Sequence, residues 1–272
     1  MEFSSRYVAH KPDSQGLVNY SEGEHHVWQQ LFERQIKIIP NRACDAFIAG
    51  LEKLHLSPTH IPQLPEISKR MTQLTGWEVV PVNALISAKD FFELLANCCF
   101  PAATFIRTQE ELDYVQEPDI FHELFGHCPM LTDPTYAKFL QAYAKLVLTF
   151  PETEWALLQR LFWFTVEFGL IQTNHGVRAY GGGILSSISE TPYSIESHIP
   201  FRVLFDPIAA FRTPYRIDQL QRVYFVIHDF ATLYHLTKQD LVQQIQEAKK
   251  LGEVAPFFKV EPHNPAIHIF AC

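Results

Sequence analysis

The sequence of 272 residues carries a formal net charge of −8, and 47% of its residues are hydrophobic. This acidic composition, which contains no cluster of lysine and arginine, argues against a nucleic acid partner because phosphate binding needs grouped cations. The sequence has neither an apolar stretch of about 18 residues nor a secretory leader, so we expect no membrane contact. The five cysteines are an odd number and none forms a CxxC pair, which indicates a reducing, cytoplasmic setting.

The N-terminal part of the chain is predicted to be a polar segment followed by helices. We expect residues 1–20 to form a flexible segment and residues 21–272 to form one domain. Ser21 and Glu24 have the spacing of a capping box, and apolar residues recur after them with helical periodicity. Asn41 is the predicted N-cap of a second helix that extends to about residue 54.

The central part is predicted to contain one extended segment and three helices. Residues 76–82 favour a strand or an extended loop. Ser87 is the predicted N-cap of the next helix, and residues 119–127 predict a further helix. Asp133, followed by a proline, predicts the start of a helix that runs to about residue 150.

The C-terminal part is predicted to be helical with a short hairpin at its end. Residues 152–172 predict one long apolar helix, and the three glycines at 181–183 interrupt the helical pattern. Asp240 is the predicted cap of the last helix, and residues 257–260 and 267–270 predict a terminal hairpin. The expected fold class is therefore mostly α with minor short β strands, an α+β domain.

Two histidines five residues apart, His122 and His127, form the most informative motif of the sequence. Their spacing differs from the i, i+4 spacing of the HExxH zinc peptidases. On an unbroken α-helix five residues turn roughly 500°, which leaves the two side chains about 140° apart. Both rings can reach one metal if the helix ends between or at them, and Gly126 and Pro129 favour such an ending. The alternative is a pair of surface histidines near a helix terminus.

Glu167 is the one acidic residue in the otherwise almost wholly apolar segment 161–171. A carboxylate there must reach solvent or be compensated, because an unpaired buried charge is strongly destabilising. A metal cation is one form of compensation, and a buried arginine is the other. The arginines available for the second role are Arg107, Arg160 and Arg178.

The three candidate ligands indicate which metal the site prefers. Two imidazoles and one carboxylate, with further coordination positions open, suit iron(II) and oxygen chemistry. Structural zinc usually takes four protein ligands, often cysteines. A zinc site that includes Cys128, next to His127, is therefore the competing metal assignment.

Three blocks of the sequence, 118–129, 163–170 and 179–187, resemble the aromatic amino acid hydroxylases in their order and separation. The similarity covers nearly the whole chain from about Tyr20 onward. The resemblance implies a single catalytic domain of that family's type. It also implies iron(II) as the metal and tetrahydrobiopterin, or another tetrahydropterin, as the reductant.

The resemblance also assigns ligand contacts to individual residues. The implied iron ligands are His122, His127 and Glu167. The implied pterin contacts are Ile86, Ser87, Ala88, Phe91 and Glu123. The implied contacts to the amino acid substrate are Arg107, Pro118, Asp119, Trp163, Phe168, Gly183 and Ser186.

Two of these assignments have a direct physical rationale, and two positions depart from the family pattern. Arg107 matches the arginine that binds the substrate carboxylate, which suits a bidentate guanidinium, and Asp119 matches the acid that orients it. Family members commonly carry serine where Ala88 stands, so a side-chain hydrogen bond is lost there. Val115 replaces a threonine that is usual in animal relatives.

The implied reaction is the para-hydroxylation of an aromatic amino acid by O2, with L-phenylalanine as the expected substrate. Val226 stands where tyrosine hydroxylases tend to carry an acid. The sequence contains neither an added regulatory domain nor a long coiled-coil tail, like the short bacterial phenylalanine-specific members. We therefore expect a monomer or a homodimer.

Three alternative functions remain open at this point. One is an aromatic amino acid hydroxylase that acts on tryptophan or tyrosine. The second is a zinc-dependent hydrolase that uses His122 and His127 as ligands and Glu123 as the base. The third is a helical binding or scaffold protein in which both histidines are surface residues.

Overall fold

The computed structural model describes residues 5–255, and helices dominate this part of the chain. The α-helices are α1 (Glu22–Ile38), α2 (Asp45–Leu54), α3 (Leu64–Thr75), α4 (Ala88–Ala96), α5 (Pro134–Val147), α6 (Trp155–Phe162), α7 (Gly182–Leu185), α8 (Glu190–Glu196), α9 (Pro207–Arg212), α10 (Phe230–Leu236) and α11 (Leu241–Leu251). The 3₁₀ turns are Gln109–Glu111, Met130–Thr132 and Glu152–Glu154, and the π-helices are His122–His127 and Trp163–Glu167. None of the helices within residues 5–255 combines the length and apolar composition needed to cross a bilayer.

Six short strands form two small sheets within the described residues. The strands are β1 (Glu78–Val82), β2 (Cys99–Ala103), β3 (Leu170–Thr173), β4 (Gly176–Ala179), β5 (Phe201–Leu204) and β6 (Val223–Ile227). Strands β1 and β2 pair in parallel, and the second sheet has the order β4-β3-β6-β5. In that sheet only the β3–β4 pair is antiparallel among the described strands. The predicted fold class, mostly helical with minor short strands, is confirmed.

The helix starts that depend on local side-chain caps are confirmed. Ser21 and Glu24 form a reciprocal capping box at α1. The Ser87 hydroxyl accepts a hydrogen bond from the Asp90 backbone N–H at α4, and the Asp133 carboxylate accepts from two backbone N–H groups at α5. Strand β1 lies within the predicted extended segment 76–82.

Two predicted helix boundaries are wrong. Asn41 has a φ of 62°, outside the range of an N-cap, and α2 begins after Cys44 instead. The long helix predicted over 152–172 divides into α6, the second π-helix and β3. It ends there because Leu170 and Ile171 pair with β4 and β6 across the sheet, a long-range interaction that helical periodicity does not reveal. The predicted hairpin over 257–260 and 267–270 lies outside the described residues.

A cluster of aromatic rings forms the core behind the histidine-bearing π-helix. Phe121 and Phe125 stack with ring centroids 4.9 Å apart, and Trp28 meets Phe121 edge-on at 5.3 Å. Phe32 and Phe47 meet the Phe125 ring edge-on from other sides. These contacts bury large apolar rings in defined orientations, so the helix that carries His122 and His127 rests on a rigid base.

The described part of the N-terminal segment, residues 5–20, lies against the domain. Tyr7 stacks on Phe105 with centroids 4.5 Å apart, and the Thr104 hydroxyl donates to the His10 carbonyl. Val18 and Tyr20 are buried. These contacts attach a segment that we expected to be loosely held, and the division of the chain at residue 20 stays a prediction.

A buried acid in α8 makes the stability of the fold depend on pH. Burial raises the pKa of Glu190 to about 7, although the Tyr224 hydroxyl and the Gln221 backbone N–H both donate to its carboxyl. The folded chain therefore keeps this proton over a pH range in which the unfolded chain releases it. The resulting stabilisation is complete below the unfolded pKa of about 4.5 and is lost as the pH rises through 7.

We expect Glu190→Gln to reduce this pH dependence, because an amide has no proton to release. Relative to the unmodified chain, the variant should gain stability between pH 5 and pH 8 by roughly 1–3 kcal/mol. Urea unfolding at the two pH values measures the difference. A difference between variant and parent that stays constant across this range would contradict the assignment.

Candidate active site

Two π-helices carry the three candidate metal ligands. His122 is the first residue and His127 the last residue of the first π-helix, and Glu167 is the last residue of the second. The Cys128 N–H donates to the Glu123 carbonyl at 3.3 Å, and the Phe168 N–H donates to the Trp163 carbonyl at 2.8 Å. Both bonds span five residues, which is the π pattern and is frequent at functional sites.

The widened turn explains how the two histidines face the same point. In an i to i+5 turn, residues five apart lie nearly above one another, whereas on an α-helix they diverge. The prediction that the helix ends at the histidines is confirmed, since His127 is its last residue. The π-turn, which the sequence pattern did not predict, directs both rings to the same side. The helix continues through Gly126 and turns only at Cys128 and Pro129.

The three ligand atoms converge in the interior. The Nε2 atoms of His122 and His127 are 3.0 Å apart. The Glu167 Oε1 lies 3.3 Å from His127 Nε2, and its Oε2 lies 3.6 Å from His122 Nε2. Two ligand atoms at right angles on one ion, with bonds of about 2.1 Å, lie about 3 Å apart. The spacing of this donor set therefore fits a single bound metal ion.

His122 presents an unprotonated nitrogen to this point. Burial lowers the pKa of His122 to about 4, and the neighbouring His127 acts in the same direction, so the ring is neutral at pH 7. The Ser186 hydroxyl donates to the Gly182 carbonyl at 2.8 Å and lies 2.9 Å from His122 Nδ1. Ser186 therefore accepts the Nδ1 proton, which leaves Nε2 free for a metal.

Two glutamates lie near the histidines, and their environments differ. Burial acts to raise the pKa of Glu167, but His127, His122 and the Gly183 backbone N–H together lower it below its usual value. Burial, followed by the charges of Glu167 and Asp119, raises the pKa of Glu123 well above its usual value. A carboxyl oxygen of Glu123 also lies within 4.8 Å of the histidine nitrogens. Glu167 is the better ligand because it faces both imidazoles and is ionised.

Arg107 and Asp119 form a buried, bidentate ion pair beside these ligands. The guanidinium Nε and Nη2 each donate to a different carboxylate oxygen of Asp119 at 2.8 Å. Burial acts to raise the pKa of Asp119, but Arg107 holds it below its usual value. Asp119 also accepts the His122 backbone N–H at 3.0 Å, which links the arginine to the histidine helix. Arg107 therefore pairs with Asp119 and not with Glu167, whose carboxylate faces the two histidines.

A cavity opens onto His122, His127 and Glu167. Four further predicted site residues line it: Ile86, Phe91, Pro118 and Glu123. Ser87 and Ala88 lie at the start of α4, where the Ser87 hydroxyl also donates to the Asp90 carboxylate. Seven lining residues were not predicted from the sequence: Val82, Asn83, Ala84, Leu85, Phe100, Pro101 and Ala103.

The pairing of β1 with β2 brings most of these unpredicted residues to the cavity. Phe100, in β2, packs on the His127 ring with centroids 5.1 Å apart. The apolar composition of residues 99–103 identifies a buried segment, but its position beside His127 depends on a parallel pairing with distant residues. No local pattern in the sequence carries that information.

The remaining predicted substrate residues form a separate group next to Glu167. Trp163 and Phe168 pack with ring centroids 4.3 Å apart. A Cβ on Gly183 would lie 2.9 Å from the Phe168 ring, so Gly183 is in close contact with that ring. Ser186, which we expected at the substrate pocket, contacts His122.

Because Gly182 has no side chain, the His127 ring can pack directly against the main chain at this position. A Cβ on Gly182 would lie 2.3–2.7 Å from three atoms of the His127 ring, which real structures do not show. The start of α7 therefore forms a flat surface against which the imidazole packs. The glycines at 181–183, which interrupt the helical pattern of the sequence, supply the N-cap and the first two residues of this short helix.

Comparison with known proteins identifies the family. The sequence profile described as "Biopterin-dependent aromatic amino acid hydroxylase" matches residues 3–253. The chain belongs to this family. This hydroxylase is 51% identical to the phenylalanine-4-hydroxylase of Pseudomonas aeruginosa over 255 residues, which cover 94% of the chain and 97% of the relative.

Solved structures agree with this assignment. The phenylalanine hydroxylase structure from Legionella pneumophila is 65% identical, with a TM-score of 0.91 that covers 93% of this hydroxylase and 100% of the solved chain. A Chromobacterium violaceum phenylalanine hydroxylase with bound oxidised Fe(III) is 39% identical, with a TM-score of 0.85 over 93% and 94% of the two chains.

We expect Gly182→Ala to weaken metal binding by about 10- to 100-fold, because the added methyl group displaces the His127 ring. Calorimetric titration with cobalt(II) measures this affinity. The matched control is Gly23→Ala in α1, where the nearest atom to an added Cβ is 3.9 Å away. Equal cobalt affinities for Gly182→Ala and the control would show that the hydroxylase does not depend on this contact.

Proposed function

We propose that this hydroxylase converts L-phenylalanine and O2 to L-tyrosine, with a tetrahydropterin as the reductant. In this proposal His122, His127 and Glu167 hold iron(II). The observation that carries it is the convergence of two imidazole nitrogens and one carboxylate within 3.0–3.6 Å. The names of the similar bacterial proteins support phenylalanine as the substrate.

The donor set favours iron over structural zinc. Two histidines and one carboxylate on one side of an ion leave positions open for oxygen, as in non-haem iron oxygenases. The bound Fe(III) of the Chromobacterium violaceum enzyme supports the same metal here. Bound iron supplies the site at which oxygen is activated, and the pterin supplies the electrons.

The protein's own contribution begins with the substrate carboxylate. We assign its binding to Arg107, whose Nη1 takes no part in the bidentate pair with Asp119. Asp119 holds the guanidinium plane fixed and, through the His122 backbone, fixes its position relative to the metal ligands. A bound amino acid is thereby oriented before reaction, which is the main catalytic use of such a clamp.

The pterin is assigned to the cavity next to the histidines. Phe91 lines this cavity as a buried ring that meets Phe92 and Phe162 edge-on, so its own orientation is defined. Ile86 and Glu123 line the same space. Because the Ser87 hydroxyl is bonded at the α4 N-cap, we expect backbone atoms of Ser87 and Ala88 to make their contacts.

The aromatic residues around the site exclude water. Phe100 packs against the His127 ring, and Phe121, which precedes His122 in the sequence, is buried. Trp163 is also buried, next to Phe168. A dry site strengthens the electrostatic contacts of the bound substrate and limits side reactions.

The alternatives receive less support. A hydrolase with Glu123 as base needs an ionised carboxylate, yet burial raises the pKa of Glu123 well above its usual value. The surface-histidine alternative conflicts with the burial of His127. Val226, where tyrosine hydroxylases tend to carry an acid, lies in β6 and pairs with Leu170. The proposed preference for phenylalanine over tyrosine rests mainly on the names of the similar proteins.

We also propose a cytoplasmic location. The four cysteines within residues 5–255, namely Cys44, Cys98, Cys99 and Cys128, are free thiols. Free thiols are typical of a reducing compartment. The expectation of a monomer or a homodimer stays a prediction.

The first test is tyrosine formation by purified protein supplied with iron(II), tetrahydropterin, O2 and phenylalanine. We expect activity in the unmodified chain and its loss in Glu167→Ala, because one ligand is removed. The control is Glu66→Ala, which removes an exposed glutamate paired with Arg70 and should leave activity unchanged. Zinc retention without tyrosine formation in the unmodified chain would refute the hydroxylase proposal.

The assignment of the substrate carboxylate to Arg107 can be tested separately. We expect Arg107→Lys to raise the KM for phenylalanine by roughly 10- to 100-fold, because lysine keeps the charge but cannot bind two oxygens in one plane. Steady-state kinetics with varied phenylalanine measure this. An unchanged KM would remove Arg107 from the substrate site.

A further inference from the structure

Trp163, the first residue of the second π-helix, lies between two other aromatic rings. The Tyr215 ring stacks on it at 4.4 Å with an interplanar angle of 20°, and the Phe168 ring packs on it at 4.3 Å. Phe168 in turn lies against Gly183. A change in the orientation of the Trp163 ring therefore shifts Phe168, which packs against Gly183 beside Glu167.

A single buried hydrogen bond fixes the Trp163 ring within this stack. The indole N–H donates to the Gln221 Oε1 at 3.0 Å. Trp163 is 6% exposed and Gln221 is 4% exposed, so water does not compete effectively for this bond. Stacking alone leaves a ring free to rotate in its own plane, whereas a directed N–H bond removes that freedom.

The side chain of Gln221 is itself held in one orientation. Its Nε2 donates to the carbonyl oxygens of Arg216 at 2.6 Å and Gln219 at 3.1 Å. These two bonds direct the amide NH2 group toward the loop and the amide oxygen toward Trp163. The same loop contains Tyr215, so Gln221 links the Trp163 indole to the loop that carries Tyr215.

The backbone of Gln221 is anchored by a buried acid. The Gln221 backbone N–H donates to the Glu190 Oε1 at 2.9 Å, and the Tyr224 hydroxyl donates to the same oxygen. Tyr224 and Glu190 are both buried. The network therefore runs from the sheet, through Glu190 and Gln221, to the indole of Trp163.

We propose that Gln221, anchored by Glu190, is a positioning residue that orients Trp163 and thereby sets the size of aromatic ring accepted as substrate. This inference rests on the proposed function and on the contacts of Trp163 and Phe168 to the amino acid substrate that the family resemblance implies. Gln221 touches neither substrate nor metal ligand in this arrangement and acts through the indole. Loss of the bond leaves a buried N–H without an acceptor, so the ring turns and the pocket loses its fit to a single six-membered ring.

The test is Gln221→Met, which keeps the length of the side chain and removes the acceptor. With the iron-loaded enzyme we expect the KM for phenylalanine to rise about five- to tenfold while kcat changes less than twofold. The ratio of kcat/KM for phenylalanine to that for tryptophan should fall by a similar factor. The near-ultraviolet circular dichroism attributable to Trp163 should weaken as well.

A double-mutant cycle separates positioning from general destabilisation. In Trp163→Phe the residue has no N–H, so adding Gln221→Met should change the phenylalanine KM less than twofold. Equal effects of Gln221→Met in both backgrounds would overturn the proposal. If Trp163→Phe is inactive, the circular dichroism of Gln221→Met decides: an unchanged Trp163 signal overturns the proposal, and a weakened one supports it.

Two control variants complete the design. Glu190→Gln keeps an oxygen acceptor for the Gln221 N–H and should retain the parent KM. Gln35→Met removes an equally buried glutamine that bonds Thr191, and it should lower thermal stability without changing the preference for phenylalanine over tryptophan. If the unmodified enzyme forms no tyrosine, the proposed function fails; if it does so and Gln221→Met keeps the parent kinetics, this inference alone fails.

Discussion

The structure depends on placing two imidazoles and one carboxylate close together in a buried interior. Their lone pairs meet at 3.0–3.6 Å, where they repel unless a cation or proton lies between them. Such an arrangement persists only if the backbone that carries it is rigid. The aromatic base under Phe121 and Phe125 supplies that rigidity on one side, and the start of α7 supplies it on the other.

The backbone meets this constraint by departing from regular α-helix at each ligand. The π-turns at 122–127 and 163–167 bring residues five apart into register, and a glycine at 182 allows the His127 ring to approach the main chain. Each departure is energetically unfavourable alone. Together they direct three side chains from two helices to one point, which a regular helix with this spacing cannot do.

Two buried polar networks likewise fix the orientation of side chains around the proposed substrate site. The Arg107–Asp119 pair is tied to the His122 backbone, and the Glu190–Gln221 pair is tied to the Trp163 indole. In both, a buried acid fixes the orientation of a second residue. The site is thus preorganised, so that substrate binding need not order its walls.

The sequence by itself determined the features that depend on neighbouring residues. The caps at Ser21, Ser87 and Asp133, the helical fold class and the candidate ligand set of His122, His127 and Glu167 all follow from local patterns or from the family resemblance. Tertiary structure alone decided the π-turns, the end of the helix after Glu167, the position of Phe100 on His127 and the bond from Gln221 to Trp163. These features depend on pairing and packing between segments far apart in the chain, whose energies no local pattern encodes.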